Sequence, residues 1–280
     1  MSSIEVRRLT KHFGSVVAVE DLSFDVGAGE VVGLLGANGA GKTTTMKILL
    51  GLASPTSGEA RIDDVPTSRV DRRVLGYVPQ GLGLYSDLTV AENVAFSAAA
   101  FGVPEPSLAA DGLDAVAGRR ISQVSLGLRR RVAFAVARCH EPSVLILDEP
   151  TSGVGPLGRA RLWETIHSTA EEGAAILVST HYMDEAEECD RVVLMAGGRR
   201  VASGAVDDVI GANEVVTVSG EVSSDRVDAI RDAGGHVLMD GDGWRVVGLD
   251  RATVSSLAGE TARTDVVPAT FEEAFVALSR

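Results

Sequence analysis

Three stretches of the chain are apolar almost without interruption: Val31-Val32-Gly33-Leu34-Leu35, Val144-Leu145-Ile146-Leu147 and Ala175-Ile176-Leu177-Val178. Runs of this length, bounded by Gly, Asp or Ser, predict strands of a parallel sheet covered on both faces. Elsewhere the pattern alternates. Ile4-Glu5-Val6-Arg7-Arg8-Leu9 and Leu22-Ser23-Phe24-Asp25-Val26 predict half-exposed antiparallel strands, with Glu59 to Ile62 and Leu75 to Val78 as further strands. After Gln80 the texture turns helical: Ala91 to Phe101, Leu108 to Val116 with Pro104 and Pro106 before it, and a longer helix over Leu126 to Cys139. Another helix over Pro156 to Glu172 lies between the second and third apolar strands, and Arg191 to Met195 with Arg200 to Ser203 form a hairpin at Gly197-Gly198. This is an α/β domain, expected over residues 1–212 with a helical subdomain at about 81–140.

From about Asn213 the elements become short and mixed. Strands at Glu214 to Ser219, His236 to Met239 and Trp244 to Val247, with helices at Ser224 to Ala233, Arg251 to Ala258 and Phe271 to Leu278, predict a small α+β appendage over 213–280. It carries no set of catalytic residues and is expected to be regulatory or dimer-stabilising.

The first apolar strand runs into Gly36-Ala37-Asn38-Gly39-Ala40-Gly41-Lys42-Thr43-Thr44, which fits GxxxxGK(S/T), and then into the helical Thr45 to Leu50. Glycines in such a turn let backbone N–H groups converge on phosphate oxygens, and the following helix presents its positive end to the same anion. Lys42 is placed to reach β- and γ-phosphates, and the Thr43 hydroxyl to ligate Mg²⁺. The second apolar strand ends in Asp148-Glu149-Pro150, at the edge where an open parallel sheet presents its ligand site. Asp148 suits a metal's water shell, and Glu149 suits orienting and deprotonating an attacking water. The third ends at Ser179-Thr180-His181, which brings an imidazole to the same edge for a γ-phosphate contact, and Gln80 follows the Leu75 to Val78 strand there.

Composition narrows the partners. The chain has 280 residues, with 26 Lys+Arg against 39 Asp+Glu for a net charge of −13. An acidic surface without a basic patch repels phosphodiester backbones, so no nucleic-acid partner is expected. Cys139 and Cys189 lack metal-type spacing and read as reduced, buried thiols. The opening Met1 to Glu5 runs directly into a charged strand, unlike a signal peptide, and the apolar stretches stop short of a membrane span. A cytoplasmic protein, peripheral on the inner face of the cell membrane through a partner, is expected.

In this order, over about Ile4 to Gly211, these motifs resemble the nucleotide-binding subunit of ATP-binding cassette (ABC) transporters. The resemblance implies a P-loop NTPase with a RecA-like parallel core sheet, an antiparallel β subdomain and an inserted helical subdomain. It implies ATP and Mg²⁺ as cofactors. Phe13 would stack on adenine, Gly36 to Thr44 would be the Walker A loop, and Gln80 would bind Mg²⁺ and sense the membrane subunit. Asp148 would be the Walker B carboxylate, Glu149 the catalytic one and His181 the switch histidine. Ser125 and Gly127 match signature positions that contact a partner cassette's γ-phosphate. The segment Tyr182 to Arg191 and the ending Pro268 to Phe275 are similar to those of ABC-2-type drug and antibiotic exporters. Two cassettes, identical or different, would then close on two ATP molecules and drive a membrane-spanning permease subunit. Two departures stand out. The signature, usually Leu-Ser-Gly-Gly-Gln, is Val124-Ser125-Leu126-Gly127-Leu128, and the D-loop, usually Gly-Val-Asp-Pro, is Gly153-Val154-Gly155-Pro156. Leu128 lacks the amide of Gln and Gly155 lacks a carboxylate, so slow turnover is expected. The competing readings are a nucleotide-binding regulator with weak hydrolysis and a non-transport ABC ATPase of the DNA-repair or translation type.

Overall fold

In the computed structural model the described residues are 2–211, 214–220, 223–241, 243–259 and 261–278. The chain divides into two compact units, Met1–Arg200 and Val201–Arg280. The boundary expected between Ala212 and Asn213 lies outside the described residues, and the division falls earlier in the chain.

The first unit opens with a long hairpin, β1 (Ser2–Phe13) and β2 (Val16–Gly27), turning at Gly14. β3 (Val31–Leu35) is buried along its whole length and leads into α1 (Lys42–Leu49), which starts before the expected Thr45. β4 (Ser57–Ile62) and β5 (Val65–Pro66) complete an antiparallel sheet of order β2-β1-β4-β5. Beside it lies the parallel sheet. β3 pairs with β8 (Ala175–Thr180) and β9 (Arg191–Ala196), and β7 (Val144–Asp148) pairs with β6 (Leu75–Val78) and β8, giving the order β9-β3-β8-β7-β6. One continuous core joins the two sheets: Ile4, Leu22 and Ile62 from the antiparallel side pack with Leu34, Ile146 and Leu177 and with Met46 and Leu49 of α1.

The inserted helical part holds α2 (Val90–Phe101), which begins with a reciprocal Thr89/Glu92 capping box, and α3 (Leu126–Arg138). The expected helix over Leu108 to Val116 is not formed. Residues 108–112 make turns and only Asp114–Val116 closes a single 3₁₀ turn. The apolar side chains there, Leu108, Leu113 and Val116, fall five and three residues apart and still reach the α2/α3 core, but that spacing does not follow a helical face. Gly112 in a left-handed conformation (φ 57) turns the chain instead. After β7 the chain continues through α4 (Pro156–Glu171) to β8. The passage to the second unit falls within β10 (Arg199–Gly204).

The second unit follows with α5 (Val206–Ile210) and then an antiparallel sheet of β11 (Glu214–Ser219), β12 (His236–Asp240), β13 (Gly243–Val247) and β14 (Arg263–Pro268), in the order β12-β13-β11-β14. Alternation along β11 splits its valines between two cores. Val216 and Val218 pack with α6 (Ser224–Asp232) and α7 (Arg251–Ala258), and Val215 packs with α8 (Phe271–Leu278). The tip expected at Asp240 to Gly243 includes Asp242, which lies outside the described residues. Cys139 and Cys189 are both free; Cys189 is buried, whereas Cys139 is only half-buried because it faces a surface cavity. Among the described residues no helix is long and apolar enough to cross a membrane.

Candidate nucleotide site

The loop after β3 needs its glycines for two different reasons. Gly39 (φ 85) has open space around the position of a Cβ, so only its backbone conformation demands glycine. At Gly36 (φ 153) a Cβ would stand 2.3 Å from the Met195 carbonyl oxygen, and at Gly41 (φ 103) 2.5 Å from that of Ala18, so there the close packing demands it as well. Gly41 is also the N-cap of α1 and offers no side-chain cap, and the first turn holds no acidic residue. The amides at that end are therefore left for an external anion. Gly39 and Gly41, with Ala18, Asn38, Ala40, Lys42, Thr43, Thr44, Gln80 and Glu149, line a cavity of about 310 Å³.

Lys42 is 5% exposed, and its ammonium donates to the carbonyls of Gly36 at 2.6 Å and Ala37 at 3.1 Å. Burial pulls its pKa below the ordinary lysine range, against the opposing pull of Glu149 and Asp148. Two acceptors from its own loop keep the charge aimed along the cradle.

The far wall comes from β7 and β8, whose parallel register sets Asp148 beside Ser179. The Ser179 hydroxyl donates to Asp148 Oδ1 at 2.6 Å, and the Thr43 hydroxyl approaches the same oxygen at 3.4 Å. Glu149 adopts the left-handed region (φ 50), which a residue with a Cβ occupies only when its surroundings enforce it. Its N–H is held by Ser179, 3.0 Å from the hydroxyl oxygen and 3.2 Å from the carbonyl. That twist turns the Glu149 carboxylate toward its neighbours. Gln80 Nε2 donates to Oε2 at 3.2 Å, and His181 Nδ1 lies 3.2 Å from Oε1, without the alignment of a hydrogen bond.

The structure thus brings Gly36, Asn38, Gly39, Ala40, Gly41, Lys42, Thr43, Thr44, Gln80, Asp148, Glu149 and His181 to one edge of the parallel sheet. It does not bring Ser125, Gly127 or Phe13 into the cavity wall. Ser125 is the exposed N-cap of α3, with its hydroxyl 3.5 Å from the Leu128 N–H, and Gly127 lies in the first turn. Phe13 ends β1 with 54% of its surface exposed and the Lys11 ammonium 4.8 Å from its ring centre. Two residues were missed from the sequence. Ser179 left no signal beyond its place at a strand end. Arg130, 6% exposed, stands in the run Arg129-Arg130-Arg131, whose sequence does not show which member turns inward. A larger cavity of about 680 Å³ lies among the 106–111 turns, the end of α3 and the end of α4. Its wall includes none of the phosphate-loop or strand-end residues, so size does not mark the site here.

The ABC transporter family profile matches residues 19–152. The Nod factor export ATP-binding protein I of Paraburkholderia xenovorans (strain LB400) is 40% identical over 226 residues, covering 76% of this chain and 74% of that protein. The chain belongs to the ABC transporter ATP-binding family. A probable multidrug ABC transporter ATP-binding protein, YbhF of Escherichia coli (strain K12), is 43% identical over 217 residues, which is 74% of this chain and 38% of YbhF. This ABC chain therefore spans well under half of that relative. Among solved structures, an ATP-binding subunit of an ABC transporter superposes with a TM-score of 0.68 at 33% identity, covering 74% of this chain and 92% of that one. The dimeric cassette MJ0796 bound to ADP and phosphate superposes with a TM-score of 0.65 at 25% identity, covering 72% and 98%. The fold is that of the ABC cassette, a P-loop NTPase.

Proposed function

We propose that this chain binds MgATP on the Gly36 to Thr44 loop and hydrolyses it, and that hydrolysis powers a membrane exporter of drug- or antibiotic-like molecules. The observation that carries the reading is the left-handed Glu149 turn, which sets a carboxylate against Gln80 and His181 across the cavity from the Lys42 cradle. The residues fit a nucleotide triphosphate: uncapped helix amides, glycines whose Cβ positions are filled by other atoms or kept open, and a buried ammonium. They also fit Mg²⁺. Thr43 and Asp148 already share an oxygen-to-oxygen approach of 3.4 Å and would hold the ion with Gln80, and bound Mg²⁺ neutralises charge on the β- and γ-phosphates.

The chain's own groups account for the remaining chemistry. The loop amides and Lys42 fix the phosphates by hydrogen bonding and charge. Glu149 accepts a proton from the attacking water, Gln80 orients the carboxylate, and His181 contacts the γ-phosphate. Phe13, exposed at the end of β1, stacks on adenine. Ser125 and Gly127 face a second cassette, identical or different, at the exposed start of α3, where the helix dipole favours its phosphate. The membrane path belongs to a separate permease subunit, which holds this chain on the inner face of the cell membrane; the multidrug and Nod factor export names of the relatives support this. The residues after the first unit serve as an accessory or regulatory domain. A second reading, a nucleotide-binding regulator with weak hydrolysis, is favoured by one observation, the side-chain-free Gly155 before α4.

Phosphate release by the purified protein with MgATP tests the proposal, together with equilibrium ATP binding by Lys42→Ala. The variant is expected to lose binding, because no other cation lines the cavity among the described residues. Wild-type affinity in the variant would refute the placement of the nucleotide.

A further inference from the structure

Among the described residues Arg130 is a buried cation with no carboxylate in its grasp. With 6% of its surface exposed, it spends its guanidinium on two main-chain carbonyls: Nη1 donates to Glu149 O at 2.8 Å and Nη2 to Ser152 O at 2.9 Å. Its Nε is buried without a partner among the described residues. Taking a charge out of water onto neutral acceptors is costly, and an apolar side chain of similar volume would fill this space with less penalty to stability. The fork therefore matters for what it holds.

What it holds is the turn that carries the catalytic carboxylate. Glu149 sits in the left-handed region, and its N–H is fixed from one side by Ser179. Arg130 fixes the carbonyl on the other side. Ser152, three residues on, closes the same turn by donating its N–H to Glu149 O at 3.3 Å, and its own carbonyl takes the second prong of the fork. With both flanking peptide groups pinned, the direction of the Glu149 Cα–Cβ bond is set, and so is the aim of its carboxylate between Gln80 and His181.

We propose that Arg130 is a positioning residue for hydrolysis: its planar fork holds the Glu149 to Ser152 turn in the left-handed geometry that aims the Glu149 carboxylate. The inference rests on the reading of Glu149 as the proton acceptor. A lysine cannot replace the fork, since a single ammonium on a flexible stem does not present two fixed, parallel donors.

The test uses the full chain with Arg130→Met and Arg130→Lys, read by kcat for MgATP, equilibrium ATP affinity, circular dichroism and hydrogen exchange of the amides at 149–154. Arg130→Met is expected to keep a native spectrum and wild-type ATP affinity, to lose kcat by on the order of 10²-fold, the scale of a misplaced catalytic group, and to exchange faster at 149–154. Arg130→Lys is expected to recover only part of the kcat. Millimolar guanidinium added to Arg130→Ala should raise its turnover, and the same concentration of ammonium should not. Wild-type kcat in either the Met or the Lys variant overturns the proposal. So does a kcat loss matched by an equal loss of ATP affinity, which marks a structural role. If Arg130→Met does not fold, the same separation of kcat from affinity must appear in Arg130→Lys. Glu149→Gln, measured alongside, keeps the two readings apart: unchanged hydrolysis there sinks the role of Glu149, while hydrogen exchange in Arg130→Met still decides whether Arg130 anchors the turn.

Discussion

His181 Nδ1 and Glu149 Oε1 stand 3.2 Å apart, although the two residues follow the ends of different strands, β8 and β7. The imidazole is thus beside the carboxylate yet not aligned to hydrogen-bond with it, which leaves it available to a phosphate. Replacing His181 by Ala is expected to lower kcat by on the order of 10²-fold, the low end for a group acting in proton transfer and charge stabilisation, with little change in ATP affinity. Steady-state phosphate release at saturating MgATP decides it; unchanged turnover would remove His181 from the mechanism.

Gly155 has ordinary dihedral angles (φ −68, ψ 164) at the N-cap of α4, and a Cβ there would meet nothing within 4 Å. Asp fits without strain and can accept from the helix's first N–H groups, a gain of a few tenths of a kcal/mol over Gly. In the proposed cassette dimer the same carboxylate would help to fix the water near Glu149. Gly155→Asp is therefore expected to raise kcat while leaving nucleotide affinity unchanged. Equal or lower turnover, with dimerisation intact by light scattering, would show that Gly155 costs the reaction nothing.

In the second unit, Arg245 Nη2 donates to Glu273 Oε2 at 2.9 Å, and the Glu273 side chain is 3% exposed. Burial pushes its carboxyl pKa up, but the hydrogen bonds from Arg245 and Thr270 outweigh that and hold it below the ordinary range. A depressed folded pKa adds stability above the unfolded value of about 4.3, and this is lost as pH falls through the folded value. Arg245→Met leaves the buried carboxylate without its cation and held only by Thr270, and is expected to cost about 3–5 kcal/mol at pH 7. The deficit should shrink at pH 4 as Glu273 takes up a proton. Urea unfolding at the two pH values checks this, and equal deficits would contradict it.

The sheet edge was legible because burial wrote itself into the sequence. β3, β7 and β8 are buried on both faces and had to be apolar throughout, so their polar ends stood out as Gly36, Asp148 and His181. β14 was missed for the opposite reason: of its six residues only Thr264 is buried, and a polar strand ending in Pro268 shows no alternation. The segment 108–116 has helix-like composition, yet its apolar residues follow the core without helical spacing. Arg130 was invisible because a charge run does not show which of its members turns inward on a helix. Ser179 was invisible because a serine's role as a bridge between Asp148 and the Glu149 N–H depends on strand register.

In the proposed function the Glu149 carboxylate performs the hydrolytic step on a nucleotide held by the Lys42 loop. Single-turnover hydrolysis by Glu149→Gln, with ATP affinity measured on the same sample, tests it most directly. ATP binding is expected to stay unchanged and the rate to fall by a factor of order 10² or more. A wild-type rate in Glu149→Gln would contradict it.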